Sequence, residues 1–312
     1  MMLFNKSHNG AAEIVAVLGL IDDRLSWDKW APIIPLGLRD LKAIIGGDVL
    51  DAIDALYQAA ETLTPDMAEV VRLAQQAAAM FTWLRVIPTL EAQHGGAGRG
   101  KRLGENERGL TAAQEFKDED NIRSMAYEAA DALIELLDTH QVDFWLQSEK
   151  CRGRQQLLIR DKETFDRYYV IGSHRLYVTL MPIIREVQDA QIIPIITRPR
   201  YEALIQGDES LTQLLIDQVR RPLALLTMKK AVERLPVEVL PEGIVQVQQS
   251  ATVRDKLRAE KSARDAVASS LGTDAAAMLD RLADTIRELD ALNEEAVFYN
   301  PGPTLQSRGI TF

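Results

Sequence analysis

One glycine-rich stretch carries residue types that could bind a phosphate. Residues 94–102 read HGGAGRGKR, and positions 95–101 fit the first seven places of the pattern G-x-x-x-x-G-K-[ST]. In that pattern the glycine amides approach the phosphates, the lysine supplies charge, and a hydroxyl after the lysine holds Mg²⁺. Arg102 stands where the hydroxyl is needed, and the preceding residues 88–93 are polar with a helical pattern. The stretch therefore predicts a flexible surface loop rather than a nucleotide site.

The other reactive residue types do not converge on a site. The four histidines share no metal-ligand spacing with a cysteine or a carboxylate. Ser173 and His174 are adjacent, so their side chains would point in different directions on a helix, and Ser173 is instead predicted to be the N-cap of that helix. Asp138, His140 and Asp143 predict a solvated cluster at a helix end rather than a cation site. We therefore predict no catalytic residue, no metal and no cofactor.

Composition describes a globular protein with an uneven charge. The 312 residues are 46% hydrophobic and 26% charged, with a net charge of −10. Residues 1–150 hold 14 Lys+Arg and 24 Asp+Glu, so that half carries the whole excess of negative charge. An acidic half argues against wrapping nucleic acid, because such proteins gain affinity through a basic face. It does not argue against a position beside DNA.

Three further features bear on the compartment. No apolar run approaches the roughly 18 residues that a membrane span needs. The N-terminal segment has no small-residue cleavage site, so we expect no secretion signal. The single cysteine, Cys151, rules out an internal disulfide framework and suits a reducing compartment. It lies in a polar run, which predicts a free surface thiol.

The elements that would position these residues form an internal repeat. WAPII at 30–34 recurs as LMPII at 180–184, and each copy is followed by two helical segments and then a long amphipathic helix. The first long helix begins at Thr64 as N-cap, with Pro65 in its first turn. The two long helices are predicted to end alike, at Pro88 and at Pro236. Residues 109–114 then pair with residues 243–248, and charged helices follow at 119–137 and 253–270, with a further one at 274–292.

This repeat suggests what the glycine-rich stretch is. Twenty residues separate Pro88 from Gly109, whereas six separate Pro236 from Gly243. The segment at about 93–106 is therefore predicted to be a 14-residue insertion that projects as a loop. Insertions at loop tips cost little stability. On this loop, Arg99, Lys101 and Arg102 are candidate partner contacts.

The predicted fold class is all-α, with two tandem similar helical bundles. Residues 1–140 form the first repeat, 141–172 a bridge that is irregular or β, and 173–298 the second repeat. Pro182 is expected to bend its helix, and residues 155–160 could form a short strand. Residues 299–312 are predicted to be an extended tail, in which Leu305, Ile310 and Phe312 are further candidate partner contacts.

Several stretches resemble a known group of proteins. They are FDRYY at 165–169, SHRLY at 173–177, LMPIIREV at 180–187 and IPII at 193–196, with Tyr201 and Leu204 behind them. The chain resembles a family of uncharacterised proteins of about 300 residues that phages and prophages of Bacteroidetes encode among capsid and tail genes. The first copy departs from the pattern at Gly37 and at residues 46–47. Each half is also similar in layout to the helical head–tail connector (adaptor) proteins of tailed phages.

The resemblance implies a structural virion protein rather than an enzyme. It implies a ring of identical subunits below the portal, in the neck of the virion, with portal and tail or neck proteins as partners. DNA would pass through the channel without sequence-specific binding, and no membrane is involved. An alternative is a cytoplasmic α-helical interaction or regulatory protein without catalysis. A third is an enzyme with a nucleotide site at the glycine-rich stretch.

Overall fold

The computed structural model describes residues 3–19, 26–59, 62–95, 98–101, 111–235, 245–249, 254–258 and 261–298. These residues are mainly helical and pack in two groups, which confirms the all-α prediction. The first group contains the following elements: α1 Gly10–Leu18, α2 Trp27–Trp30, α3 Ile34–Ile45, α4 Gly47–Gln58, α5 Pro65–Glu91, β1 Ala92–Gly95, β2 Gly98–Lys101 and α6 Ala112–Thr139. The long helices α5 and α6 pack side by side, and α3 lies against α5.

A bridge and a second group follow. The bridge contains α7 Asp143–Leu146, a 3₁₀ helix at Arg154–Gln156 and α8 Lys162–Asp166. The second group contains α9 His174–Val187, a π-helical segment at Gln188–Ile192, α10 Ile193–Ile196, α11 Arg198–Gln206, α12 Glu209–Arg234, β3 Val245–Gln249, β4 Arg254–Arg258 and α13 Lys261–Phe298. Here α12 and α13 are the long packed pair.

The central helices of the two groups bury the same positions. Val70, Ala74, Ala78 and Phe81 are buried on α5, and Leu215, Val219, Leu223 and Leu226 are buried on α12. Each member of the second set lies 145 positions after its counterpart. One step further, Thr82 and Thr227 are both fully buried, and each hydroxyl donates to the carbonyl four residues earlier at 2.7 Å. The amphipathic pattern of the sequence predicts both of these faces. It also places Leu214 on the apolar face of α12, and this prediction is wrong, because Leu214 is 48% exposed.

The shorter helices repeat as well, with one insertion. Ile34 and Ile184 are buried and lie 150 positions apart, whereas Ile45 and Ile196 are buried and lie 151 apart. The π-helical segment at Gln188–Ile192 lies between these two points and accounts for the extra residue, because a π turn holds one residue more than an α turn.

The junctions after these helices share an unusual backbone. Gly46, before α4, has φ 98° and ψ 159°, and Thr197, before α11, has φ 73° and ψ 155°. This region is almost exclusive to glycine. Thr197 is strained in this conformation. The second group therefore has the same turn as the first group, but with threonine where the first group has glycine.

The predicted loop insertion is wrong. Residues 92–95 and 98–101 pair as an antiparallel hairpin, and residues 245–249 and 254–258 form a second hairpin at the same place in the other group. The connection from α5 to α6 is shorter than that from α12 to α13. The predicted pairing of residues 109–114 with residues 243–248 is also wrong. Residues 112–114 begin helix α6, whereas residues 245–248 lie in strand β3.

Two helix predictions also differ from the structure, and a third agrees with it. Helix α5 continues through Pro88 to Glu91, although this exposed proline removes one backbone hydrogen bond and its ring crowds the carbonyl four residues earlier. The predicted helices at 253–270 and 274–292 are instead strand β4 followed by the single helix α13. Helix α12 ends at Arg234 as expected, but Pro236 lies outside the described residues.

The bridge contains no strand among its residues, all of which the structure describes. Residues 154–156 form the 3₁₀ helix and residues 157–160 run without a backbone ladder. The polar groups of this segment pair with side chains of the second group instead. The Gln188 amide donates to the Gln156 carbonyl and accepts from the Leu158 amide, and the Arg220 guanidinium donates to the Leu158 carbonyl. The domain boundaries at 140 and 172 stay predictions.

Candidate interaction site

A buried ion pair joins the first group to the bridge. Asp138, near the end of α6, accepts two bonds from the Arg154 guanidinium, at 2.6 and 3.1 Å, and one from the Trp145 indole at 2.6 Å. The side chains of Arg154 and Asp138 are only 8% and 16% exposed. Arg154 also lies over the ring of Tyr177, whose hydroxyl donates to the Ile159 carbonyl. The second group is thereby tied to α6 through the bridge.

These contacts decide the charge states at the junction. Burial raises the pKa of Asp138, but contacts with His174, Arg154 and Trp145 outweigh it and lower this pKa to about 2. Burial lowers the pKa of Arg154, but Asp138 raises it further than burial lowers it. Both groups are therefore charged at neutral pH, and the pair is an ion pair.

The start of α9 is held by a second carboxylate of α6. Ser173 caps α9 as predicted, with the Leu176 amide donating to its hydroxyl at 3.1 Å. Asp131 accepts from the Ser173 hydroxyl and from the Arg175 amide, at 2.8 and 2.7 Å. His174 is buried 3.6 Å from Asp138, and although burial lowers its pKa, the nearby carboxylates of Asp138, Glu163 and Asp131 raise it overall.

An open cleft of about 1030 Å³ lies between the two groups beside this junction. Helices α3, α5, α6 and α9 and the bridge each contribute to its wall. Apolar side chains form part of the lining, among them Phe81, Leu157, Val178 and Met181, all of which are buried. A segment bound here would contact both helical groups at once.

The rim of the cleft is strongly cationic. Its described lining contains two carboxylates, Asp40 and Glu149, and six cationic side chains: Arg85, Arg123, Lys150, Arg152, Arg175 and Arg185. In a chain of net charge −10, this is a local reversal of sign. The arrangement suits recognition of negative charge above an apolar floor.

The six cations differ in how they are engaged. The Arg85 guanidinium pairs with Asp40 at 2.8 Å, Lys150 donates to the Ala43 carbonyl, and Arg185 donates to the Gly153 carbonyl. Arg175 lies over the ring of Tyr127, 4.3 Å from its centre. The remaining two, Arg123 and Arg152, are exposed, and their side chains make no bond with another described residue. They are the cations most available to a partner.

The residues predicted as partner contacts lie elsewhere or outside the described part of the chain. Arg99 and Lys101 are on β2, at the pairing positions opposite His94 and Ala92. Arg102 and the tail residues Leu305, Ile310 and Phe312 fall outside the described residues. The hairpin follows α5 directly and Lys101 lies in strand β2, whereas in a phosphate cradle the glycine-rich loop leads this lysine into the start of a helix.

Two predictions about reactive residues are also wrong. Cys151 is buried, 4% exposed, and burial raises the pKa of its thiol to about 11, so it is not a surface thiol. Asp138 belongs to the buried ion pair rather than to a solvated cluster, and His140 instead lies 3.2 Å from Asp66. The described residues contain no group of three or more side chains that could hold a metal ion. None of the described helices is long and apolar enough to cross a membrane.

The cationic cleft was missed by sequence reasoning. Its arginines come from three helices and the bridge, and of these segments only the bridge is basic in sequence, at residues 150–154, KCRGR. The acidic balance of residues 1–150 even pointed away from a basic surface. Only the packing of the two groups brings these side chains together.

The fold and the cleft define an all-α protein with a repeated order of elements and a cationic cleft between its halves. Residues 41–155 and 186–291 match the model of a family of unknown function, DUF6712. These segments cover more than two thirds of the chain, which therefore belongs to that family. No curated protein and no solved structure matches it.

Proposed function

We propose that the protein is a structural subunit of a tailed-phage virion, a head–tail connector (adaptor) in the neck. Copies assemble into a ring below the portal and contact tail or neck proteins, and DNA passes through the central channel. The observation that carries this proposal is a repeated β-hairpin: each helical group has one between its two longest helices.

A two-stranded hairpin is suited to assembly. Each described strand pairs with only one other, so every hairpin keeps strand edges on which a further strand can add. A two-stranded hairpin alone is marginally stable in water, so pairing with a neighbouring subunit would stabilise it. The cations Arg99 and Lys101 on β2 suit contact with an acidic partner surface.

Charge and sequence resemblance support the same role. The acidic balance of residues 1–150 suits a protein that stands beside DNA, because negative walls keep a polyanion from sticking. The resemblance to phage-encoded proteins and to connector layouts points to the neck of the virion. Residues 299–312 are predicted from Pro301 and Pro303 to be extended, and their three apolar residues suit a groove of a neighbour.

The test is assembly of the full chain with the portal protein of the same phage. Negative-stain images and mass photometry should show rings that bind the portal. Replacing Arg99, Lys101 and Arg102 by alanine should weaken portal binding at an unchanged melting temperature. The matched control replaces Lys117, Arg167 and Arg281, which are exposed and make no side-chain bond to another described residue, and it should bind as the wild type does.

Two results would count against the proposal. A wild-type chain that forms no ring and does not bind the portal would favour a cytoplasmic interaction protein. Deletion of residues 299–312 should abolish assembly while leaving the fold intact. A large fall in the melting temperature of the isolated chain would instead mean that the tail packs on its own bundle.

A further inference from the structure

The cationic cleft between the two helical groups has the properties of a docking surface. It has an apolar floor and a polar rim, which is the general arrangement of protein interfaces. Its rim is rich in arginine, which is enriched where proteins meet. With about 1030 Å³ of space, it is at the upper end of the range for small-molecule pockets and can take part of a polypeptide segment.

We infer that this cleft receives an acidic surface of a second copy of the same chain. The inference deepens the proposed function, because it names the surface through which copies assemble. Charge complementarity identifies the occupant. The cleft has six cations against two carboxylates, whereas the whole chain carries −10, so the surface outside the cleft is more acidic than the net charge indicates.

The contact is heterologous: the cationic cleft of one copy meets a different, acidic face of the next. Such contacts generate closed rings when the rotation between neighbours closes. Arg123 and Arg152 need no rearrangement to take part, because both are exposed and neither side chain bonds to a described residue. Arg175 is held over Tyr127, which keeps its guanidinium in place at the wall.

A nucleic acid suits the cleft less well than a second copy does. Duplex DNA carries one negative charge per about 1.7 Å of its axis, so its charge continues beyond the cleft, and the chain outside the cleft is acidic on balance. A protein face can instead present a limited cluster of carboxylates that matches the limited cluster of cations. Screening at physiological salt confines the interaction to about 8 Å, so the local charges decide the contact.

The experiment measures self-association of the full chain by sedimentation velocity at low and at high salt. The wild type should associate, and the association should weaken as salt rises. The double variant Arg123→Glu with Arg152→Glu should weaken it at least about tenfold, the change that about 1.4 kcal/mol produces. The matched control, Arg221→Glu with Arg281→Glu, reverses two exposed charges outside the cleft lining and should stay within about twofold of the wild type.

Two further measurements make the result specific. Both variants should keep the wild-type melting temperature, so that lost association cannot come from unfolding. In a mixture of ¹⁴N- and ¹⁵N-labelled chains, a zero-length carbodiimide cross-link should join Lys150, the lysine of the cleft, to a carboxylate of the other copy.

Several outcomes would overturn the inference. They are equal association of the cleft variant and the wild type, equal weakening by the control, or cross-links from Lys150 within one chain only. Binding of a short duplex or single-stranded DNA that the cleft variant abolishes would mean that the occupant is nucleic acid. If the cleft variant still forms rings that bind the portal, this inference fails and the proposed function stands. If the wild type forms no ring, the proposed function fails as well.

Discussion

Replacing Asp138 by asparagine would remove the negative charge that Arg154 faces at the junction of the two helical groups. Asparagine has nearly the same size, so the packing around the side chain is kept. It offers one acceptor oxygen in place of the two that bind the guanidinium and the Trp145 indole. The perturbation is therefore mainly electrostatic: a guanidinium that is 8% exposed is left without its counter-charge.

Two arguments give the size of the effect. The folded protein lowers the pKa of Asp138 from 3.8 to about 2, and a difference of almost two units corresponds to about 2.5 kcal/mol of unfolding free energy. The substitution costs more than protonation of the carboxyl, because the amide can accept fewer bonds. Breaking a buried pair by removing one partner typically costs about 3 to 5 kcal/mol. We therefore expect a loss of about 3 to 5 kcal/mol for Asp138→Asn.

Urea denaturation followed by circular dichroism measures this loss. The control is Glu69→Gln, which removes an exposed partner of Arg72 from the same kind of ion pair and should cost less than about 1 kcal/mol. A carboxyl whose pKa is lowered on folding stabilises the folded protein at pH values above its unfolded pKa. The difference in unfolding free energy between the wild type and Asp138→Asn should therefore be complete above about pH 4 and should shrink as pH falls towards 2. A loss equal to that of the control would refute the buried ion pair.

Three further predictions follow from the fold and the junction. Thr197→Gly should stabilise the protein by about 0.5–2 kcal/mol, because relief of the strain in a backbone conformation that suits only glycine exceeds the entropy cost of glycine. Gly46→Thr should destabilise it for the same reason, and thermal melts of both variants measure these changes. The pKa of His174 is raised in the folded protein, so its contribution to the unfolding free energy is complete below about pH 6.5 and is lost as pH rises through the folded pKa. The melting temperature of the wild type should therefore fall between pH 6 and 8 by more than that of His174→Gln. Cys151 should react with a thiol reagent at pH 8 about a hundredfold more slowly in the folded than in the unfolded chain, and equal rates would place the thiol at the surface.

The helical faces could be predicted from sequence because their signal is local. Val70, Ala74 and Phe81 recur at helical spacing, and a helix that buries one face needs only that pattern. The N-caps Thr64 and Ser173 could be predicted from sequence in the same way. In each case the capping hydroxyl accepts a hydrogen bond from the backbone amide three residues later, which is a local feature of the sequence. The prediction of two similar groups followed from these local patterns taken in order.

The connections could not be predicted in the same way. Residues 92–101 are rich in glycine and have no strand pattern, yet β1 and β2 pair there. Residues 245–249 read VQVQQ, an alternation of β-branched and polar residues that favours a strand, but the predicted alignment with residues 109–114 passed over this signal. Residues 157–160 look like a short strand, but Gln188 and Arg220 take up their backbone groups. Such pairings depend on which segments the fold brings together, and periodicity contains no information about that.

Cys151 and the cleft show how far a polar neighbourhood in sequence can mislead. Cys151 is flanked by Lys150 and Arg152, which suggested an exposed run, yet the cysteine is buried while Arg152 is exposed. A short irregular segment can alternate its side chains between the core and solvent, so the polarity of neighbours does not determine burial. The same alternation directs Arg152 into the cleft, where Arg123 arrives from a helix of the first group. A cationic cleft built from side chains that lie far apart in sequence can be identified only once the two groups are packed, which is why charge reversal at Arg123 and Arg152 tests the inferred contact between copies.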